Sequence, residues 1–146
     1  MEIVPYQSIY KEQCLAIFES NQPKFFATEE RELFIDWLDH HTATDYFVVK
    51  ENDVIVACGG IFFDDKTNEA GLSWGMVQAA RHGQGIGSRF TEYRLEMIRE
   101  KYPSAIIRIE TSQYTESFYK RFGFVTVNVI KDGFGKGYDL YNMSCR

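Results

Sequence analysis

The stretch His82-Gly83-Gln84-Gly85-Ile86-Gly87 sets three glycines at alternate positions immediately before an amphipathic segment. A glycine-rich turn feeding a helix N-terminus gathers unpaired N–H groups and the positive end of the helix dipole. Together these favour an anion, phosphate above all. Glycine also lets the backbone approach such a group where a Cβ would collide. Arg81 ahead of the turn and Arg89 just after it add positive charge. A plain flexible turn beside two solvated arginines accounts for the same letters, so the anion reading depends on what accompanies the loop.

Spacing tests the competing motifs. A dinucleotide fingerprint G-x-G-x-x-G needs glycine at position 88, where Ser88 stands. A Walker P-loop needs Lys and then Ser or Thr after its last glycine, and Ser88-Arg89 follows Gly87 instead. Gly71-Leu72-Ser73-Trp74-Gly75 spells G-x-S-x-G, the nucleophile elbow of serine hydrolases. Ser73 falls inside a strand pattern, though, and the only later histidine, His82, follows with no acidic residue between them. His40, His41 and His82 form no H-x-x-x-H pair, and Cys14, Cys58 and Cys145 no CxxC pair, so no metal site is expected.

The second informative run is Ser117-Phe118-Tyr119-Lys120-Arg121-Phe122-Gly123-Phe124. Aromatic residues at this spacing are ordinary core contacts for a short helix. Tyr119 nevertheless offers a phenol that can deliver a proton, one helix and one strand beyond the glycine loop.

The elements that must position these groups follow from hydrophobic period. A strand at Ile3-Val4 ends at Pro5. A helix through Tyr10, Cys14, Ile17 and Phe18 stops near Asn21-Gln22-Pro23. Thr28 is expected to cap a second helix whose buried stripe is Leu33, Phe34, Trp37 and Leu38. The period then changes to two. Tyr46–Lys50 and Val54–Phe63 form a hairpin, with a bulge expected at Gly59-Gly60, and Gly71–Val77 adds a third strand. After the glycine loop, Ile86, Phe90, Tyr93 and Met97 mark one face of a helix reaching about Lys101. A strand at Ala105–Ile109, a helix at Glu116–Arg121 capped by Gly123, and strands Val125–Ile130 and Tyr138–Met143 around a turn at Asp132-Gly133 complete the chain. The order β-α-α-β-β-β-α-β-α-β-β implies a mixed sheet with helices packed on it.

The chain has 146 residues, 45% of them hydrophobic and 25% charged, which is the balance of one globular domain spanning 1–146. Sixteen basic against 21 acidic residues leave a net charge of −5, so no nucleic-acid partner is expected. No run approaches the roughly 18 apolar residues of a membrane helix, and Met1–Tyr6 lacks the character of an export signal. A cytoplasmic protein without a membrane partner is expected, its cysteines buried thiols.

Taken together, Met76-Val77, Arg81-His82-Gly83-Gln84-Gly85-Ile86-Gly87 and Phe118-Tyr119-x-x-x-Gly123-Phe124 resemble the paired motifs of the GNAT N-acetyltransferase superfamily. The family pattern Arg/Gln-x-x-Gly-x-Gly/Ala is met here with histidine in the first place and Arg81 beside it. The resemblance implies an α/β fold (α+β) with a mixed, mostly antiparallel sheet of about six to seven strands. About four helices would flank it, and its fourth and fifth strands would splay into a cleft. It implies acetyl-coenzyme A as acyl donor and no metal. Backbone groups of Gly83, Gln84, Gly85, Ile86, Gly87 and Ser88, aided by Arg81 and His82, would hold the pyrophosphate. The strand edge at Met76-Val77 would pair with the pantetheine arm, and the Val77 N–H would face the thioester oxygen.

Tyr119 matches the tyrosine that protonates the departing thiolate, and Glu110 and Glu69 are the candidates for accepting the amine proton. Either carboxylate could equally be a plain surface group. Phe25, Phe26, Asp132 and Asp139 would border the acceptor cleft, although the last two also suit a simple hairpin turn. The acceptor would be a small-molecule or peptide amine, and a homodimer is left open. A non-catalytic acyl-coenzyme A sensor on the same scaffold is the alternative function.

Overall fold

Alternating apolar residues between Tyr46 and Val77 build an antiparallel meander at the centre of one seven-stranded sheet. The computed structural model describes residues 1–146. Its elements are β1 (Glu2–Pro5), α1 (Lys11–Ser20), α2 (Glu30–His40), β2 (Tyr46–Glu51), β3 (Val54–Asp64) and β4 (Glu69–Val77). They continue with α3 (Ile86–Lys101), β5 (Ile106–Thr111), α4 (Glu116–Lys120), β6 (Val125–Gly135) and β7 (Tyr138–Cys145). The strand order is β1-β2-β3-β4-β5-β7-β6, and every pair is antiparallel except β4 with β5. No helix is long and apolar enough to cross a membrane.

The β4–β5 ladder is short. It pairs Glu69 with Ile106, Ala70 with Ile107 and Gly71 with Arg108, after which both strands run on without partnering each other. A bulge drives them apart. Between the pairs Cys58–Met76 and Gly60–Ser73, the single residue Gly59 opposes both Trp74 and Gly75. The extra residue therefore sits on β4, not at the paired glycines of β3 as the sequence pattern indicated. Trp74 adopts φ 41° there, and such a bulge bends and twists its strand.

Neighbouring residues of each strand face opposite cores. Val48 and Cys58 pack with Cys14, Phe18, Phe34 and Leu38 under α1 and α2. Val49 and Ala57 pack with Ile86 and Phe90 of α3 on the other side. Further along, Ile61, Leu72 and Ile107 meet Leu95, Ile98 and Tyr119. Each of the Val, Leu, Ile and Phe side chains among them contributes about 1.5–3 kcal/mol on full burial.

Four details differ from the sequence pattern. In α2 the buried face is Glu30, Phe34 and Leu38, while Leu33 is 61% exposed and Trp37 half-buried. Phe34 sets this rotation by stacking between Phe18 and Trp74, with ring centroids 5.4 and 5.1 Å away. Thr28 provides no cap; the Glu30 carboxylate instead accepts the Ala27 N–H at 2.8 Å. In α3 the buried set is Ile86, Phe90, Thr91, Arg94, Leu95 and Ile98, with Tyr93 and Met97 at its margin. The β6–β7 turn lies at Lys136-Gly137, beyond Asp132-Gly133, because β6 continues to Gly135 opposite Tyr138. Gly123 does close α4: it takes φ 94° and donates its N–H to the Lys120 carbonyl at 3.1 Å.

Candidate active site

Where β4 and β5 part, a cavity of about 930 Å³ opens between the glycine loop, α4 and the segment joining α1 to α2. At its loop end Gly83 and Gly85 hold φ 79° and 81°, the left-handed region that disfavours other residues. Gly85 holds the N-terminal cap position of α3, and no side chain caps the free N–H groups there. A Cβ at Gly87 would stand 3.6 Å from both Val77 Cγ2 and the Phe118 ring, so its absence leaves a cradle in the wall. Gly83, Gly85, Gly87 and Ser88 border the cavity.

The side chains around this loop are largely committed to building it. Arg81 is ion-paired with Glu51, which holds the Glu51 carboxyl below its ordinary range. The Arg81 Nε also donates to Gln84 Oε1 at 2.8 Å, turning Gln84 away from the cavity. Ile86 points into the core. His82 sets its Nε2 2.9 Å from the Val77 carbonyl and meets Phe25 edge-on. Phosphate binding at this loop would thus fall to backbone N–H groups.

Val77 is fixed from the other side too. Gln78 donates its N–H to the Val56 carbonyl at 2.8 Å, so antiparallel alternation turns the polar groups of Val77 away from β3. The Val77 carbonyl accepts Asn21 Nδ2 at 2.9 Å as well as His82. Its N–H faces the gap that β5 does not fill. Asn21, buried at the end of α1, had no signal in the sequence beyond its place before a proline-containing turn.

Tyr119 lines the cavity from α4, its ring edge-on to Phe118 at 5.0 Å and to Phe124 at 6.0 Å. Burial pushes its phenol above the ordinary value, and the Arg94 charge opposes that rise. The phenol therefore carries its proton at neutral pH. Arg94 reaches this place from α3 over Gly59 and Gly75, where a Cβ would lie 2.9 and 2.6 Å from its nitrogens. Gly59 and Gly75 were the only sequence signal for a large side chain crossing the sheet, and the pattern of apolar residues passes over an arginine.

At the other end, Phe25 and Phe26 line the cavity, joined by Trp37 and Trp74. Glu30 lies among them, and burial pushes its carboxyl up to about 7 against the lowering hydrogen bond from Ala27. Glu69 borders the cavity but is paired with Arg108 at 3.1 Å. Glu110 borders it with an exposed carboxylate. Asp132 and Asp139 are not brought to the cavity. Asp139 accepts the Asp132 N–H at 2.9 Å, and Asp132 accepts the Gly137 N–H at 2.8 Å, so both carboxylates hold the hairpin. Ser73 lies within β4 and not at a strand-to-helix turn, so the elbow spelling marks no nucleophile.

A family model described as the acetyltransferase (GNAT) family matches residues 11–124, most of the elements that enclose this cavity. The chain belongs to the GNAT acetyltransferase family. No curated protein matches it. Among solved structures it is similar to ribosomal-protein-alanine N-acetyltransferase from Brucella melitensis, at 17% identity and TM-score 0.78, covering 99% of both chains. An N-acetyltransferase from Staphylococcus aureus Mu50 aligns at 18% identity and TM-score 0.73, over 99% of this chain and 96% of that one. An aminoglycoside 6'-N-acetyltransferase complexed with coenzyme A aligns at 15% identity and TM-score 0.75, again over 99% and 96%. At these identities the shared property is the GNAT fold: a mixed α/β sheet whose fourth and fifth strands splay.

Proposed function

We propose that this GNAT protein transfers the acetyl group of acetyl-coenzyme A to a primary amine by direct attack on the thioester. The supporting observation is the alignment of three groups along one cavity: the uncapped loop N–H groups, the unpaired Val77 N–H and the buried Tyr119 phenol. The Gly83–Ser88 backbone suits a pyrophosphate, and the cradle at Gly87 admits a chain between Val77 and Phe118. The free edge at Met76-Val77 suits the amide groups of a pantetheine arm.

In the reaction the amine nitrogen attacks the thioester carbon while the Val77 N–H stabilises the developing oxyanion. The carbon–sulfur bond breaks, and the sulfur takes its proton from Tyr119. A primary amine arrives protonated and must first lose a proton. Glu110 takes that role, directly or through water, since Glu69 is engaged by Arg108. Phe25, Phe26, Trp37 and Trp74 with the Glu30 carboxyl suit an acceptor carrying both apolar surface and positive charge.

Calorimetric titration with acetyl-coenzyme A, with ATP and NAD as controls, tests the donor. A panel of amines followed by thiol release tests the reaction. Selective binding with amine-dependent thiol release is the expected result. Binding with no release from any amine would favour an acyl-coenzyme A sensor, and no binding to the folded protein would overturn both readings.

A further inference from the structure

Arg94 is the one arginine buried in the protein, 2% exposed, and it forms no ion pair. Its Nη1 donates to the Gly60 carbonyl at 3.2 Å, its guanidinium lies 4.8 Å from the Phe90 ring centroid, and its Nε finds no partner. A desolvated guanidinium without a carboxylate is costly, and a hydrophobic residue of similar volume is the cheaper filling for such a place. The sheet nevertheless gives up side chains at Gly59 and Gly75 to admit it. The guanidinium lines the same cavity as Tyr119, and its positive charge acts on the Tyr119 phenol. The other titratable groups facing it are Tyr46 from β2, whose phenol burial pushes up, and Cys58 from β3; neither is a carboxylate.

We propose that Arg94 is the counter-cation of Tyr119, holding its hydroxyl toward the cavity and stabilising the phenolate formed when it protonates the departing thiolate. The inference rests on the acetyl-transfer reading above. As the carbon–sulfur bond breaks, the sulfur leaves with the bonding pair and takes the phenol proton. The negative charge then rests on the Tyr119 oxygen next to Arg94. The proton released by the attacking nitrogen restores the phenol through water, so protons balance over one turnover. Arg94 meets the reaction only through Tyr119 and is a positioning residue. Its missing counter-ion is one that forms transiently in each turnover, which accounts for a buried cation with no resident partner.

The test is a double-mutant cycle on thiol release from acetyl-coenzyme A with hydroxylamine as nucleophile. Hydroxylamine is largely unprotonated at neutral pH, so this probe needs neither a recognised acceptor nor a base. Arg94→Met should lower kcat by on the order of 10²-fold while acetyl-coenzyme A affinity changes little. In a Tyr119→Phe background the same change should cost less than about threefold. The alkaline limb of the kcat profile should move to higher pH in Arg94→Met, because the phenol loses the cation that favours its ionisation. Arg94→Lys, which keeps the charge, should recover part of kcat and serves if the Met variant does not fold. Equal losses in both backgrounds, or an unmoved alkaline limb, would mean a purely structural arginine and overturn the proposal. Wild-type release that requires Tyr119 but not Arg94 overturns this inference alone; no catalysed release by wild type removes the acetyl-transfer reading with it.

Discussion

At the loop end of the cavity, Gly83, Gly85 and Gly87 act through backbone geometry, and all the groups involved lie within a few consecutive residues. At the opposite end, Phe25, Glu30, Trp37, Trp74 and Glu110 line the cavity with their side chains, and they come from the segment before α2, from α2 itself, from β4 and from β5. A phosphate can be held by N–H groups that every residue carries, so the loop needs only permissive φ values and a helix start. An amine must be selected by shape, charge and a proton acceptor, which no contiguous segment supplies. On the proposed acetyl-transfer reading, one end serves a common donor while the other sets the acceptor.

The largest expected effect lies where the two ends meet. Tyr119→Phe should reduce kcat by about 10²–10⁴-fold with acetyl-coenzyme A affinity nearly unchanged. Thiol-release kinetics beside calorimetry read both quantities, and equal turnover would remove Tyr119 from the chemistry. At the loop end, Gly85→Glu imposes a left-handed φ on a residue with a Cβ and adds a carboxylate at the anion site. It should weaken acetyl-coenzyme A binding by on the order of 10²-fold while the thermal transition stays cooperative.

The end lined by Glu30 should respond to pH near neutrality. The Glu30 carboxyl rises from its ordinary 4.5 to about 7 in the folded protein. Between those values the folded state binds more protons than the unfolded one, so stability falls as pH rises through the window. Glu30→Gln should flatten that slope, gaining on the order of 2–3 kcal/mol at pH 8 and little at pH 4. Denaturant titration at both pH values checks it, and an unchanged slope would place the titration elsewhere. The smallest effect is expected from Glu110→Gln. Water at this exposed position can partly replace the base, so kcat should fall by only about tenfold at neutral pH. The loss should shrink with hydroxylamine, which needs no deprotonation.

The fold was legible wherever residues act locally. The β46–51 and 54–64 hairpin, the glycine loop and the Gly123 cap all appear at the positions that period and turn chemistry indicate. The misplacements share one cause. Leu33 satisfies a helical stripe as well as Phe34 does, and only the stacking of Phe34 between Phe18 and Trp74 decides which one turns inward. Asp132 and Asp139 fit an acidic acceptor wall as readily as a hairpin clasp, and the extension of β6 to Gly135 decided for the clasp.

The sequence by itself determined the order of elements, the left-handed turns at Gly83 and Gly85 and the phenol at position 119, because dihedral preference and residue chemistry are local properties. Tertiary structure alone decided that the extra residue of the bulge lies on β4, that Arg94 crosses two glycines into the cavity that Tyr119 lines, and that Glu30 joins the wall of that cavity. Those outcomes depend on desolvation and on contacts between residues far apart in the chain. Their energies exist only once the sheet has formed and its strands have splayed.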